Sequence, residues 1–307
     1  MILYFYFVKI IQGNYNGSLE MSYILKSYDD ALENILSNGV KKVNRTGIET
    51  VAVFGLQSRY LIKDQFPLLT GRKVWPKSIF AELLWFLSGS TLNSDLQKLE
   101  SNIWTPWVDE DFERKNGYVE GAFGPVYGFQ LRHFGGEYAN GDVGNPNYGK
   151  GGFDQLSWMV NRIKENPDCR RILFSLWNPS QMGGMRLPPC HYTFQIFTHE
   201  NRMSGMLTQR SCDFPVGVPA NIQFYSALIY MLAQQTGFEP YEFVHSTVDS
   251  HIYVDQIPAV EEYLSRTKPH SPRLALNKAK DIFSYSLEDF GIVDYNPESK
   301  IPMPVAV

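Results

Sequence analysis

Cys190 stands between Pro188-Pro189 and His191, where a run of strand-forming residues begins. Prolines are tolerated at the first residues of a strand, so this cysteine emerges from a rigid turn, the kind of element end where function concentrates. A buried, inert core cysteine is the alternative. A nearby positive charge would favour the nucleophilic thiolate and decide between the two. Arg210, beside Ser211 at the end of a strand-like run, can supply it, as can Arg170-Arg171 after the turn Asn166-Pro167-Asp168. Arg45, in a loop with Thr46-Gly47, is a fourth candidate. Guanidinium groups bind phosphate through paired hydrogen bonds, commonly with a serine hydroxyl alongside. Taken singly, each arginine is better read as a solvated surface group, and only convergence in space would change that.

Glu82 lies inside the most apolar helix of the chain, between Ala81 and Leu83-Leu84-Trp85-Phe86. Burial there would raise its pKa towards the range useful for proton transfer; a helix edge turned to water is the bland alternative. His251 and Tyr253 are two apart in SHIYV, so on a strand both project to one face, where two polar tips can grip a sugar hydroxyl. Asn221 falls at or in the first turn of an apolar helix. It can cap that helix, or its amide, with a donor and an acceptor, can read the edge of a base.

The elements that must position these groups follow from periodicity. Helical spacing runs from Tyr23 to Leu36, with Ser37-Asn38-Gly39 as its stop, and 78–87 reads as a buried helix. Asp154 to Glu165 and Ile222 to Gln235 are two further helices, the second closed by Gly237. Strands are expected over 50–62, Arg171–Trp177, His191–Phe197 and Met203–Ser211, and residues 135–152, rich in Gly and Asn, read as one long surface loop. With no repeats, low-complexity tracts or linker, a single α+β domain accounts for the pattern.

Composition narrows the class of function. The 307 residues are 44% hydrophobic, 20% charged and 14% aromatic, as in a well-packed globular protein. A formal charge of −4 argues against a general nucleic-acid binder, though a local arginine cluster can still hold a small phosphorylated ligand. Cys169, Cys190 and Cys212 are too few for a disulfide framework and lack metal-ligand spacing, so a reducing, cytoplasmic setting without metal is expected. The opening MILYFYFVKII is too short to span a bilayer and lacks a basic n-region, so neither membrane span nor secretory signal is expected. Residues 1–20 read as an extension ahead of a domain covering 21–307.

Ordered along the chain are RTG at Arg45, FPLLT at Phe66, ELLWFLSGST at Glu82, GPVYGFQ at Gly124 and DCRRILFSLWNP at Asp168. They continue as LPPCH at Leu187, QRSCD at Gln209, GVPAN at Gly217, DSHIY at Asp249 and a terminal PVAV. From about Tyr23 to Val307 this order resembles the thymidylate synthase family. The resemblance implies an α+β domain with a large mixed β-sheet flanked by helices, acting as an obligate homodimer. It implies conversion of dUMP to dTMP with 5,10-methylenetetrahydrofolate as co-substrate, supplying both a carbon and a hydride.

Carried onto matching positions, the resemblance makes Cys190 the nucleophile that adds to C6 of uracil, turning C5 into an enolate-like carbon nucleophile. Arg45, Arg210 and Ser211 would bind the 5′-phosphate, with Arg170 and Arg171 reaching into the partner subunit's site. Asn221 would read the uracil edge, and His251 with Tyr253 would hold the deoxyribose hydroxyl. Glu82 would organise water and proton transfer, with Tyr127 and His191 in the same polar network. Ile103, Trp104, Trp107, Leu187, Asp213 and Gly217 match the folate pocket, Asp213 facing the pterin, and Val307 would close over the ligands. The departures from the family pattern are Ala220 for Phe, Leu131 for Trp, Thr105 for Asp, Glu49 for Gly, and the unusual pair Phe214-Pro215; most weigh on the folate side. A deoxyuridylate or deoxycytidylate hydroxymethylase of the same superfamily, quenching with water in place of hydride, is the competing enzyme. Asn221 favours uracil over cytosine, and a catalytically silent relative is the non-enzymatic alternative.

Overall fold

The computed structural model describes residues 17–44, 47–268 and 272–305. Its first element is helix α1 (Gly17–Asn38), which crosses residue 21 and so starts ahead of the expected Tyr23. Strand β1 (Val40–Lys42) pairs antiparallel with β2 (Thr50–Leu61). Helix α2 (Pro76–Ser88) is the expected apolar helix, with proline in its first turn where no backbone donor is needed. Short helices α3 (Asn93–Lys98), α4 (Glu110–Asn116) and α5 (Tyr127–His133) follow. Helix α6 (Gln155–Glu165) opens as read from the sequence, with Asp154 as N-cap accepting from the Ser157 amide at 2.9 Å.

One expectation needs correcting here. Arg170 and Arg171 do not open a strand; they sit in a turn, and β3 covers only Leu173–Ser175. β3 is the last strand of the sheet and pairs on one side alone, so nothing extends it beyond three residues. Strands β4 (His191–His199) and β5 (Arg202–Asp213) form an antiparallel pair. Helix α7 (Gly217–Thr236) then crosses to β6 (Glu239–Tyr253), which lies parallel to β5. Parallel neighbours need such a crossover, and the left-handed Gly237 (φ 83°) stops the helix where the chain must turn back. Helix α8 (Ile257–Ser265) and a hairpin of β7 (Arg273–Leu276) and β8 (Phe290–Val293) complete the described elements.

The main sheet has six strands in the order β1-β2-β6-β5-β4-β3, mixed because only β5 and β6 run parallel. Helix α7 packs across β5 and β6, α2 packs on α5 and α7, and α1 packs on β2. Tyr60, Phe243 and Tyr225 stack in sequence between sheet and α7, which places the main core on this side. On the other side, Leu173, Phe197 (67% exposed) and Met206 present apolar surface that no element covers among the described residues. The loop 135–152 runs over the surface as expected, pinned by Tyr138 against Thr91 at 2.5 Å and by the Tyr148 hydroxyl donating to the Gly89 carbonyl at 2.8 Å. Among the described residues no helix is long and apolar enough to cross a membrane.

Candidate active site

Two prolines without backbone donors lead into Cys190, so this segment can only accept from the neighbouring strand and is held largely by side chains. Arg210 does this from β5. Its Nε donates to the Pro189 carbonyl at 2.8 Å, its Nη2 to the Pro188 carbonyl at 2.8 Å, and its amide to the Cys190 carbonyl at 2.8 Å. The same Nη2 lies 3.6 Å from Cys190 Sγ, so a fixed positive charge faces the sulfur. Trp177 lies against this guanidinium, 5.4 Å away, and limits its movement. The Cys190 amide donates to the Tyr127 hydroxyl at 2.8 Å. Tyr127 can begin α5 there because Gly124 (φ 81°) turns the chain against the next loop; a Cβ on it would sit 1.8 Å from the Gly184 carbonyl oxygen.

Behind Cys190, His191 is buried and meets the Tyr225 hydroxyl through Nδ1 at 2.8 Å. Burial, with His245 nearby, lowers its pKa to about 3, so the ring is neutral at physiological pH. It stacks on Tyr127 at 4.4 Å, and Phe86 of α2 stacks on Tyr127 at 4.8 Å. Glu82, one turn earlier on α2, does not turn to open water: Trp104 Nε1 donates to its Oε1 at 2.5 Å. Burial raises the Glu82 pKa to about 7, with the Trp104 hydrogen bond opposing. Trp104 in turn packs edge-on to Tyr127 at 5.6 Å, so Glu82, Tyr127, His191 and Cys190 form one contiguous cluster.

Asn221 lies in the second turn of α7, not at its cap, because the helix starts at Gly217 and accommodates Pro219 in its first turn. It is buried, and among the described residues its amide makes no hydrogen bond, which leaves donor and acceptor free for a ligand. Gly217 keeps the space above it open; even a Cβ there would stand 3.9 Å from Asn221 Oδ1.

Parallel pairing of β5 with β6 sets Ser211 beside Asp249 and Asp213 beside His251. His251 and Tyr253 do share a face, their rings meeting edge-on at 5.3 Å. Asp249 binds His251 Nδ1 at 3.1 Å and Lys42 of β1 at 2.6 Å. Burial would raise Asp249, but these two partners outweigh it and hold the carboxyl below its ordinary pKa. Burial lifts Asp213 to about 6, opposed by a hydrogen bond from Gln256. The Trp104 and Trp107 rings lie 6.2 Å apart, and Ile103 and Leu187 are half-buried apolar groups. Thr105, next to Trp104, shares a hydrogen bond with Asn93 at 3.3 Å.

Arg45 and Val307 fall outside the described residues. Arg170 and Arg171 are exposed and, among the described residues of a single chain, make no contact with the Cys190 cluster. No group of three His, Cys, Asp or Glu side chains gathers as a metal site among the described residues.

A model of the family described as thymidylate synthase matches residues 26–307. The chain belongs to the thymidylate synthase family. Thymidylate synthase of human herpesvirus 8 type P (isolate GK18) is 43% identical over 280 residues, 90% of this chain and 82% of the relative. Thymidylate synthase of equine herpesvirus 2 (strain 86/87) is 40% identical over 284 residues, 91% of this chain and 97% of the relative. The Homo sapiens thymidylate synthase is 42% identical over 284 residues, 91% of this chain and 90% of the relative.

Sequence reasoning did not single out several residues around this candidate site: Trp177 against Arg210, Tyr225 on His191, the Lys42–Asp249 pair and Gln256. Asp249 carried a usable signal, since it stands two before His251 on the same strand face. Lys42 carried none, because 207 positions separate it from its partner.

Proposed function

We propose that this chain converts dUMP to dTMP, taking a one-carbon unit and a hydride from 5,10-methylenetetrahydrofolate and releasing dihydrofolate. The observation that carries the reading is the Cys190 sulfur facing Arg210 Nη2 at 3.6 Å in a loop pinned by that arginine and by Tyr127. A thiolate there adds to C6 of uracil, and the negative charge passes to C5 and the base carbonyl, giving a carbon nucleophile that attacks the folate methylene. Asn221 offers the donor and acceptor that the uracil edge requires. Glu82, titrating near neutrality, holds or yields a proton at the base through ordered water. His191, being neutral, acts as a hydrogen-bonding and stacking partner, not as an acid.

Arg210 and Ser211, with Arg45, bind the 5′-phosphate. Nη1 of Arg210 is not used by the loop, so one edge of the guanidinium stays available. His251 grips the deoxyribose hydroxyl together with Tyr253; its Nδ1 is engaged by Asp249, which leaves Nε2 for the sugar. The residues present fit a reduced folate: the Trp104–Trp107 pair for a flat ring and the Asp213 carboxylate for its N–H edge. Val307 closes the site and excludes water before hydride transfer.

Two chains pair through the open face of the sheet, where Leu173, Phe197 and Met206 are exposed. The Arg170 carbonyl accepts from Gln195 on that same face, so the Arg170-Arg171 turn lies at the rim from which it reaches the partner's phosphate site. Three free thiols suit a reducing cytoplasm.

Small, half-buried Ala220 on the folate side is the observation that favours a hydroxymethylase, since it leaves room for water. Incubation with dUMP and methylenetetrahydrofolate separates the two. Dihydrofolate with dTMP is the expected outcome, whereas 5-hydroxymethyl-dUMP with tetrahydrofolate would replace this reading, and absence of both products would reject it.

A further inference from the structure

Gln256 follows β6 in a short turn and is fully buried. Its side-chain amide has every hydrogen-bonding group in use. Nε2 donates to Asp213 Oδ1 and Oδ2, at 3.2 Å each, and to the Pro304 carbonyl at 2.9 Å. With two hydrogens for three acceptors, one hydrogen is shared by the carboxylate and the other is committed to Pro304. Oε1 accepts the Tyr253 amide at 3.1 Å. One side chain therefore meets the sugar-facing end of β6, the acid placed on the folate side, and the C-terminal segment.

The last of these contacts is the least backed up. Ile301 is anchored in the core, but Pro304 and Val305 are exposed. Among the described residues, the bond from Gln256 to Pro304 is the only hydrogen bond made by residues 301–305. On the other side, Asp213 receives Gln256 and the Val216 amide, which together fix where its carboxylate points.

We infer that Gln256 is a positioning residue that couples Tyr253 and Asp213 to the C-terminal segment, so that the nucleotide-side strand, the folate-facing acid and the closing tail are set together. The inference rests on the thymidylate synthase reading above. The titratable and charged groups around Asp213 are His251 on β6, Asp255 in the turn beside Gln256, and Tyr28 on α1 with Arg72 near it. None of them bonds both Asp213 and the tail, so Gln256 has no substitute.

Gln256→Glu tests this, because it keeps an acceptor for the Tyr253 amide, removes both donors and sets a second carboxylate against Asp213. At about pH 8 it should raise KM for methylenetetrahydrofolate or lower kcat by about ten- to hundredfold, with dUMP binding held within about threefold. Near pH 6 one of the paired carboxyls protonates and restores a donor, so activity relative to the unaltered chain at the same pH should recover by roughly tenfold. Gln256→Met has no group to protonate and should show the loss without the recovery. Removal of the C-terminal residues by carboxypeptidase should quicken about tenfold in Gln256→Met, a readout independent of turnover. Wild-type kinetics in both variants, a pH-independent loss in Gln256→Glu, parallel loss of dUMP binding in Gln256→Glu, or an unchanged cleavage rate would each overturn the assignment. Absence of dTMP formation by the unaltered chain would overturn the parent reading, and the cleavage result would still decide the link to the tail.

Discussion

The two halves of the site are built differently. On the side proposed for the nucleotide, most functional groups are tied by hydrogen bonds that exist before any ligand arrives: Cys190 to Tyr127, its loop to Arg210, His191 to Tyr225, and His251 through Asp249 to Lys42; Asn221, buried and unbonded among the described residues, is the exception. On the folate side Ile103, Trp107, Leu187 and Ala220 are half-buried, and Asp213 is steadied by Gln256, which also holds the tail at Pro304. One half is fixed by strand register and loop pinning; the other, in the proposed reaction, is completed as the folate and the tail come together. The contrast teaches where each kind of substitution should register. Changes on the nucleotide side should strike the chemical step, and changes on the folate side should strike affinity for the second substrate.

The largest effect is expected at Cys190. Cys190→Ser should lower kcat by more than about a thousandfold, since a hydroxyl is a far poorer nucleophile at neutral pH, while dUMP binding measured by calorimetry changes little. A variant with a tenth of normal turnover would break the contrast at its strongest point.

Glu82→Gln comes next, with a loss in kcat of roughly a hundredfold if proton transfer passes through this carboxyl. It also carries a stability signature of known sign. Burial raises the Glu82 pKa from 4.5 to about 7, so the neutral form is the one the fold favours. The stability it contributes is fully present below about pH 4.5 and is lost as pH rises through about 7, a change of at most about 3 kcal/mol. Gln, which keeps the acceptor for Trp104, should flatten that dependence and be the more stable chain at pH 8. Urea midpoints at pH 5 and pH 8, at one protein concentration, measure it; parallel pH dependence in both chains would reject the buried, neutralised carboxyl.

Tyr127→Phe leaves the Cys190 amide without its acceptor and should cost about 1–3 kcal/mol in the transition state, about five- to 150-fold in kcat/KM. Phe keeps the ring, so the loss belongs to the hydroxyl alone, and kinetics within twofold of the unaltered chain would mean the loop is held without it. The smallest effect belongs to the folate side. Ala220→Phe should tighten methylenetetrahydrofolate by roughly fivefold through added apolar contact, with dUMP affinity unchanged. Weaker folate binding would show that the site is shaped around the alanine.

The same contrast explains what was legible in the sequence. Apolar periodicity located α1, α2, α6 and α7 and the strands β2, β4 and β5, because burial on one face leaves its period in the residues, whereas the longest strand, β6, was not marked out. Cys190, Glu82, Asn221 and the His251–Tyr253 pair stood out because each is chemically costly or conspicuous where it lies. Asn221 was still misplaced at a helix start, since GVPAN carries a proline that reads as a boundary while serving as first-turn helix. Arg170 and Arg171 were read into a strand whose length is set by pairing at the sheet edge, which local sequence does not encode. Lys42 with Asp249, Gln256 with Asp213 and Pro304, and Trp177 with Arg210 depend on tertiary approach alone.

The central claim is that Cys190 attacks C6 and so makes C5 the reacting carbon. The most direct measurement follows the C5 hydrogen of isotopically labelled dUMP during turnover with methylenetetrahydrofolate. The account predicts one C5 hydrogen released to water for each dTMP formed, with no release by Cys190→Ser. Retention of that hydrogen in the product, or its release at an equal rate by Cys190→Ser, would contradict it.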